Sequence, residues 1–345
     1  MKQYRVAILG ATGAVGQEFL RLFARRQFPV SAVRLLASER SSGKLLKFKS
    51  HNVPVQAVSA DAFDAVDIAF FSAGSEAARQ WAPIALQKGA VVIDNSSAFR
   101  MDEGVPLVVP EINWHVVRPS HRLFPVGNCT AIILMMAVAP LRKFGRIARI
   151  VASSYQSVSG AGARAMQELE RQTRELADSK PLTPQVFPFP IAGNLFSHNT
   201  PINEFGYNQE EWKVIQETRK TLESPGLAIE ITCVRVPVLR AHSLSINVQF
   251  DGPAPAVGAM REAYEAFPGI KLVDDRQNNT FPMPIQAAGE EDVLVGRIRQ
   301  DATNPNCVSV FACGDQLLKG AALNALQIAE KLAAQELIAE PLASQ

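Results

Sequence analysis

The stretch Tyr4-Arg5-Val6-Ala7-Ile8-Leu9-Gly10-Ala11-Thr12-Gly13-Ala14-Val15-Gly16 decides how the chain is read. Its first six residues make a short, mostly apolar run, which suits a strand buried on both faces. Three glycines at three-residue spacing follow, and from Gln17 to Arg26 the apolar positions recur at helical spacing. Strand, glycine turn and helix in that order let backbone approach a pyrophosphate while a helix N-terminus faces its charge. The spacing is GxxGxxG rather than GxGxxG, so the context carries this reading more than the motif does.

Moving outward, Val33-Arg34-Leu35-Leu36-Ala37, Val66-Asp67-Ile68-Ala69-Phe70-Phe71 and Ala90-Val91-Val92-Ile93-Asp94 read as further buried strands, with a helix over 75–88. The alternation predicts an α/β fold with a parallel, doubly wound sheet. Ligands of such sheets gather beyond the carboxyl ends of the strands. Ser72 and Gly74 fall there, as does Arg100 in Asn95-Ser96-Ser97-Ala98-Phe99-Arg100. Arg100 reads equally as a surface residue or an anion clamp. The second strand ends in Ser38-Glu39-Arg40-Ser41-Ser42-Gly43-Lys44. An acidic residue there takes a ribose 2′-hydroxyl, and Glu39 is in place for it. Ser38, Arg40, Ser41 and Lys44 make a better cradle for a 2′-phosphate.

The chain has 345 residues, enough for two domains. Its net charge is +2 without any basic run, so neither nucleic acid nor an anionic membrane is expected as a partner. The four cysteines show no zinc-ligand spacing, so no metal is expected, and a disulfide framework does not suit this size. The first apolar run is too short for a signal-peptide core, and the longest, near 131–139, is too short to cross a bilayer. A soluble, cytoplasmic protein is expected.

Pro125-Val126-Gly127-Asn128-Cys129-Thr130 leads from a short extended segment into the apolar run Ala131 to Ala139. A helix apolar on all sides is a buried helix. Cys129 therefore sits where a buried helix starts, beside first-turn N–H groups that favour negative charge. That place pushes a thiol toward thiolate and offers donors for an oxyanion. The competing reading is a structural cysteine capping a core helix.

Beyond it, Ile147 to Ser153 reads as a strand, followed by Tyr155-Gln156-Ser157-Val158-Ser159-Gly160-Ala161-Gly162 and a helix to about Ala177. The Pro- and Asn-rich segment 179–207 lacks periodicity, and a loop this long is usually functional or an interface. Asn208 with Glu211 forms a capping-box pattern, which puts Glu210 and Lys213 on one helix face. Such a pair is commonly a solvated ion pair. Leu227 to Pro237 and Ser243 to Phe250 read as two long strands of a second sheet, flanking Arg235 and His242. The other histidines, 51, 115, 121 and 198, lie in polar or irregular surroundings and receive no role. A long Ala/Leu-rich helix from about Gln316 to Gln335 is expected to return to the first domain.

Taken in order, GATGAVG (10–16), NSSAFRMD (95–102), GNCTA (127–131), SYQSVSGAG (154–162), GYNQEEWK (206–213), RVPVLRAHS (235–243) and KGAALNALQIAE (319–330) resemble the aspartate-semialdehyde dehydrogenase family over nearly the whole chain. The resemblance implies a Rossmann-type NADP-binding domain over 1–128, completed by the C-terminal helix 316–345. It implies a catalytic and dimerisation α/β domain over 129–315, like that of glyceraldehyde-3-phosphate dehydrogenase, and a homodimer or tetramer. The implied reaction is NADPH-dependent reductive dephosphorylation of L-4-aspartyl phosphate to L-aspartate 4-semialdehyde, within biosynthesis of lysine, threonine, methionine and isoleucine.

By the same resemblance, Cys129 is the nucleophile, His242 the acid/base and Gln156 the active-site glutamine. Arg235 pairs with the substrate α-carboxylate, Glu210 meets its amine, Lys213 and Arg100 bind phosphate, and Asn128 belongs to the substrate site. The cofactor would be held by Gly10, Thr12, Gly13, Ala14, Val15, Gly16, Ser38, Arg40, Ser41, Ser72, Gly74, Ser159, Gly160 and Gln316. In two places the chain departs from the usual pattern. Gln316 stands where the family usually has an asparagine thought to touch the nicotinamide, and position 127 is Gly rather than Pro, as in one branch.

These residue types suit the implied chemistry. A thiolate splits acyl transfer from reduction, an imidazole titrating near neutrality protonates a tetrahedral oxygen, and a guanidinium holds a carboxylate by two bonds. The alternatives are an N-acetyl-glutamyl-phosphate reductase, a paralogue without the chemistry, and an NAD(P)-binding sensor. Glu210 argues against the first, whose substrate amine is acylated. Cys129, Gln156, Arg235 and His242 together argue against the second. A low-pKa thiol at Cys129, for which a sensor has no need, separates the third.

Overall fold

The computed structural model describes residues 2–338. The chain forms two compact units, one from the stretch up to Gly127 with the stretch from Ala321 onward, the other from Asn128–Gly320. Of the closing helix expected over 316–345, residues 339–345 lie outside the described residues.

In the first unit, β1 (Tyr4–Leu9) runs into α1 (Ala14–Arg25) through the glycine turn, and β2 (Val30–Ala37) follows. Next come β3 (Leu45–Phe48), β4 (His51–Ala57), β5 (Ile68–Phe71), α2 (Ser75–Gln87), β6 (Val91–Asp94) and β7 (Leu123–Pro125). The sheet order is β3-β4-β2-β1-β5-β6-β7. Every pair is parallel except β3 with β4. Parallel strands buried on both faces must be apolar throughout, and Val6 to Leu9, Ile68 to Phe71 and Val91 to Ile93 are all buried. Gly10 has φ +91, and a Cβ there would stand 2.3 Å from the Ser72 carbonyl oxygen, so the turn tolerates no side chain. The edge hairpin β3–β4 does not follow from the sequence pattern, because its exposed residues interrupt the apolar alternation.

In the second unit, α3 (Cys129–Val138) precedes β8 (Ile147–Gln156), α4 (Ala163–Ala177), β9 (Phe196–Ser197) and α5 (Gln209–Thr221). Then come β10 (Ala228–Arg235), β11 (His242–Phe250), α6 (Val257–Glu265), β12 (Ile270–Leu272), α7 (Pro284–Ala287), β13 (Val293–Gln300) and β14 (Cys307–Gly314). The order is β12-β13-β14-β11-β8-β10-β9. The two long strands expected from the alternation, β10 and β11, are thus not neighbours. β8 lies between them, parallel to β10 and antiparallel to β11.

From Thr130 to Val138, α3 is wholly buried. Each of its large apolar side chains contributes roughly 1.5–3 kcal/mol of burial, so the helix anchors this unit. The Tyr264 hydroxyl donates to the Ala137 carbonyl at 2.7 Å, satisfying a polar group the core would otherwise strand. This sheet topology brings three side chains to one end. Arg235 pairs with Gln156 in register at the ends of β10 and β8, and antiparallel β11 starts beside them at His242.

The closing helix α8 (Leu323–Ala334) is preceded by a π-helical turn, Leu318–Ala322. It belongs to the first unit, where Glu330 pairs with Arg26 at 2.7 Å and the Asn324 amide donates to the Val108 carbonyl at 2.9 Å. Among the described residues no helix is long and apolar enough to cross a membrane.

Candidate active site

The site is built around the start of α3. Asn128, not Cys129, caps this helix. Its Oδ1 accepts the N–H groups of Thr130 at 2.9 Å and Ala131 at 3.1 Å. The expectation that the Cys129 side chain meets free first-turn donors is therefore corrected, since the cap takes two of them. The Asn128 backbone N–H donates to Glu217, and its side-chain amide donates to Glu210 Oε1 at 2.8 Å. Held on three sides, Asn128 fixes the residue after it. Cys129 is half-buried, whereas Cys233, Cys307 and Cys313 are buried. Burial pushes the Cys313 thiol up to about 11 and raises Cys233 and Cys307 as well, so these three remain inert thiols. A Cβ at Gly320, in the π-helical turn, would stand 2.8 Å from Cys129 Cβ. Glycine lets this turn pack against the Cys129 Cβ and Cα, and π turns recur at functional sites.

His242 Nε2 lies 3.5 Å from Cys129 Sγ. The Ser157 backbone N–H donates to His242 Nδ1 at 3.0 Å, and the Ser157 hydroxyl reaches the same atom. Because Nδ1 accepts from a backbone N–H, the ring proton is assigned to Nε2, which faces the sulfur as a donor. His242 is 1% exposed. Burial, then Arg235 and His198, hold its pKa well below the ordinary imidazole range. The resting ring is thus neutral and does not titrate near neutrality, contrary to the sequence-based expectation. Ser157 lies within SYQSVSGAG, but nothing in the residue type announces it as the partner that sets this tautomer.

Arg235 is buried, with Nη1 donating to the Ser157 carbonyl at 2.7 Å and Nη2 to His198 Nε2 at 3.0 Å. Gln156 donates to Thr130 Oγ1 at 2.6 Å and to Glu210 Oε1 at 3.3 Å. The capping box at Asn208 is formed as expected. Lys213 Nζ is 3.9 Å from Glu210 Oε2, yet Glu210 is 8% exposed, which is not a solvated ion pair. Burial pushes the Glu210 carboxyl up, but His198, the Asn128 amide, Lys213 and Arg235 together hold it below its ordinary value. Among the described residues, Gln156 Oε1, Arg235 Nε and His198 Nδ1 are buried without hydrogen-bond partners. Three such atoms in one linked network point to the place of a polar ligand. His198 is a member that sequence reasoning missed. Its one signal was its place in the long aperiodic segment.

Gln316 is buried in this unit, where its Oε1 accepts from the Ala241 N–H at 2.9 Å and its amide donates to Ser159 Oγ. Ala241 has φ +73, a strained conformation for a residue other than glycine, and Gln316 braces that turn one residue before His242. A Cβ at Gly160 would stand 3.3 Å from His242 Cε1. Among the described residues, no group of three or more His, Cys, Asp and Glu could hold a metal.

The first unit carries the remaining expected positions. Gly13 precedes α1 with no side-chain cap and no acidic residue in the first turn, so no side chain takes the first-turn N–H groups from Ala14 onward, beside Gly10, Thr12, Val15 and Gly16. That uncapped terminus suits a phosphate. Gly74 also starts α2 without a side-chain cap, next to Ser72, but here Glu76 stands in the first turn. Ser38 precedes a 3-10 turn, Glu39–Ser41, in which Glu39 and Arg40 are exposed and Ser41 is buried. Arg100 is buried, and its guanidinium donates to the Asn95 carbonyl at 2.9 Å.

A unit opening on a strand, glycine turn and helix, and a second unit bearing a half-buried thiol, an imidazole, an arginine and a buried carboxylate, suit the class of nicotinamide-linked oxidoreductases. The family model described as "Semialdehyde dehydrogenase, NAD binding domain" matches residues 5–119, and "Semialdehyde dehydrogenase, dimerisation domain" matches 138–319. The chain is 51% identical to the aspartate-semialdehyde dehydrogenase of Synechocystis sp. over 95% of this chain and 97% of that protein. It is 44% identical to that of Aquifex aeolicus over 97% and 99%. Its structure is similar to the crystal structure of aspartate semialdehyde dehydrogenase II of Vibrio cholerae complexed with ASA, with TM-score 0.92 and 38% identity over 97% and 99% of the two chains. The chain belongs to the aspartate-semialdehyde dehydrogenase family.

Proposed function

We propose that this protein reduces L-4-aspartyl phosphate to L-aspartate 4-semialdehyde with NADPH, through a thioester on Cys129. The observation that carries the proposal is one end of one sheet, where the Cys129–His242 pair stands beside Arg235 and the buried Glu210. Cys129 Sγ attacks the acyl carbon, the carbon–oxygen bond to phosphate breaks, and a thioester remains. When bound, the dinucleotide supplies the hydride that brings this thioester to the aldehyde level. His242 Nε2–H first stabilises the thiolate and then the tetrahedral oxygen that forms at the same carbon, whose collapse breaks the carbon–sulfur bond, frees the aldehyde and returns Cys129 as the thiolate. Arg235 takes the substrate carboxylate in a bidentate manner, and the ionised Glu210 takes its ammonium group. Lys213 and Arg100 offset phosphate charge.

The residues of the first unit fit a dinucleotide. The Gly10 turn has no room for a side chain, and α1 begins uncapped. Arg40, with Ser38 and Ser41, favours the 2′-phosphate of NADP over NAD. Gln316, spent on Ala241 and Ser159, supports the turn carrying His242 rather than the nicotinamide. A homodimer is supported by the matched dimerisation domain. It is also supported by the outer face of the second sheet, where Val151 and Tyr155 are exposed and Tyr155 meets Phe311 at 6.4 Å between rings.

The test is phosphate-dependent NADP reduction with aspartate semialdehyde, run against the N-acetylated glutamate analogue. The expected outcome is turnover with the free amine and none above background with the acylated substrate. Preference for the acylated substrate would favour the N-acetyl-glutamyl-phosphate reductase reading.

A further inference from the structure

Arg235 is expected to hold a carboxylate, and a buried guanidinium can do so only if something fixes its plane. It has five N–H donors and no acceptor. One is taken by the Ser157 carbonyl and one by His198 Nε2, while Nε–H is buried without a partner. The ring of Phe187 lies 5.6 Å below the guanidinium carbon. The Ser157 carbonyl and the Phe187 face leave rotation in the plane open, and the contact with His198 closes it. The histidine is held in turn, because its backbone N–H donates to the Cys233 carbonyl at 2.9 Å, just beyond β9.

We infer that His198 is the positioning residue for carboxylate recognition, fixing the Arg235 guanidinium by accepting one of its N–H groups at Nε2. The inference rests on the reading that Arg235 binds the substrate carboxylate. An acceptor at Nε2 requires the ring proton on Nδ1 and a neutral ring. Protonation removes that acceptor and sets a second positive charge against Arg235. The groups facing His198 are Arg235 on β10, Glu210 and Lys213 on α5, and His242 on β11. Burial pulls its pKa down, Glu210 pulls it back up, and Arg235 and Lys213 lower it further, for a net shift below the ordinary imidazole value. His198 is therefore neutral at pH 7, and the arrangement is lost only on the acid side.

The experiment measures the KM for aspartate semialdehyde, the KM for phosphate and kcat across pH 5–8 for the wild type, His198→Gln, His198→Leu and Arg235→Leu. The Gln side chain can return an amide oxygen near Nε2, and Leu cannot. His198→Leu should raise the semialdehyde KM by about tenfold, the scale of one charge-assisted hydrogen bond. It should leave the phosphate KM within about twofold, and His198→Gln should stay within about threefold of wild type. The wild-type semialdehyde KM should also climb on the acid side, at pH values below the ordinary imidazole range, and the Gln variant should lose that climb. A Leu variant with a wild-type KM overturns the inference, as do Gln and Leu variants raised equally. Should the Leu variant fail to fold, an acid-side climb that persists in the Gln variant overturns it. If Arg235→Leu leaves the semialdehyde KM unchanged, the carboxylate reading fails and this inference with it. If Arg235→Leu raises it and His198→Leu does not, the positioning role alone fails.

Discussion

Two helices of this protein begin just after a glycine-bearing turn and put their N-termini to opposite uses. α1 starts after Gly13 with no side-chain cap and no acid in its first turn, so its donors are not taken by its own side chains. α3 starts at Asn128, whose Oδ1 consumes the Thr130 and Ala131 donors while its amide reaches Glu210. The first terminus is left unsatisfied by the chain's own side chains, as the proposed dinucleotide role requires. The second is satisfied by its own cap, so it holds the turn at Asn128 and Cys129 in place and has fewer donors left for an ion. A helix dipole alone therefore does not say what a helix start does, and the cap decides.

The largest effect should come from the mounted group. Cys129→Ser should fold normally and lose about three or more orders of magnitude in turnover, and retention of more than about a tenth of the activity would end the covalent mechanism. The mount itself comes next. Asn128→Ala removes the cap, worth about 1 kcal/mol of stability, and strips a donor from the buried Glu210. Turnover should fall by roughly tenfold to a hundredfold, together with a modest drop in melting temperature. A melting shift without a kcat loss would mean that the cap serves the fold alone. The smallest effect belongs to the open terminus, where Arg40 neighbours the dinucleotide site. Arg40→Ala should reduce the ratio of kcat/KM for NADP over NAD by roughly tenfold, leaving kcat little changed. An unaltered ratio, or a wild type that prefers NAD, would return the 2′ position to Glu39.

Much of this was legible in the sequence where neighbouring residues make the structure. The strand–glycine–helix opening, the buried helix after Cys129 and the capping box at Asn208 are local patterns, and all three form. What escaped was long-range. That β8 separates β10 from β11 depends on pairing between segments far apart in the chain. The tie from Asn128 to Glu210 is of the same kind. His198 comes from an aperiodic segment and gains meaning only when β9 pairs with β10. The protonation of His242 escaped for a related reason, because the residue type suggests titration near neutrality while burial, Arg235 and His198 lower its pKa.

The central claim, that Cys129 carries the acyl group, is tested most directly by intact-mass analysis. The enzyme is quenched in acid within one turnover of mixing with L-4-aspartyl phosphate, with no reduced dinucleotide present, and the peptides are then mapped. The account predicts a mass gain of one aspartyl group on the peptide containing Cys129, discharged on adding NADPH and absent from Cys129→Ser. An unmodified Cys129, with the wild type still forming semialdehyde once NADPH is supplied, would contradict it.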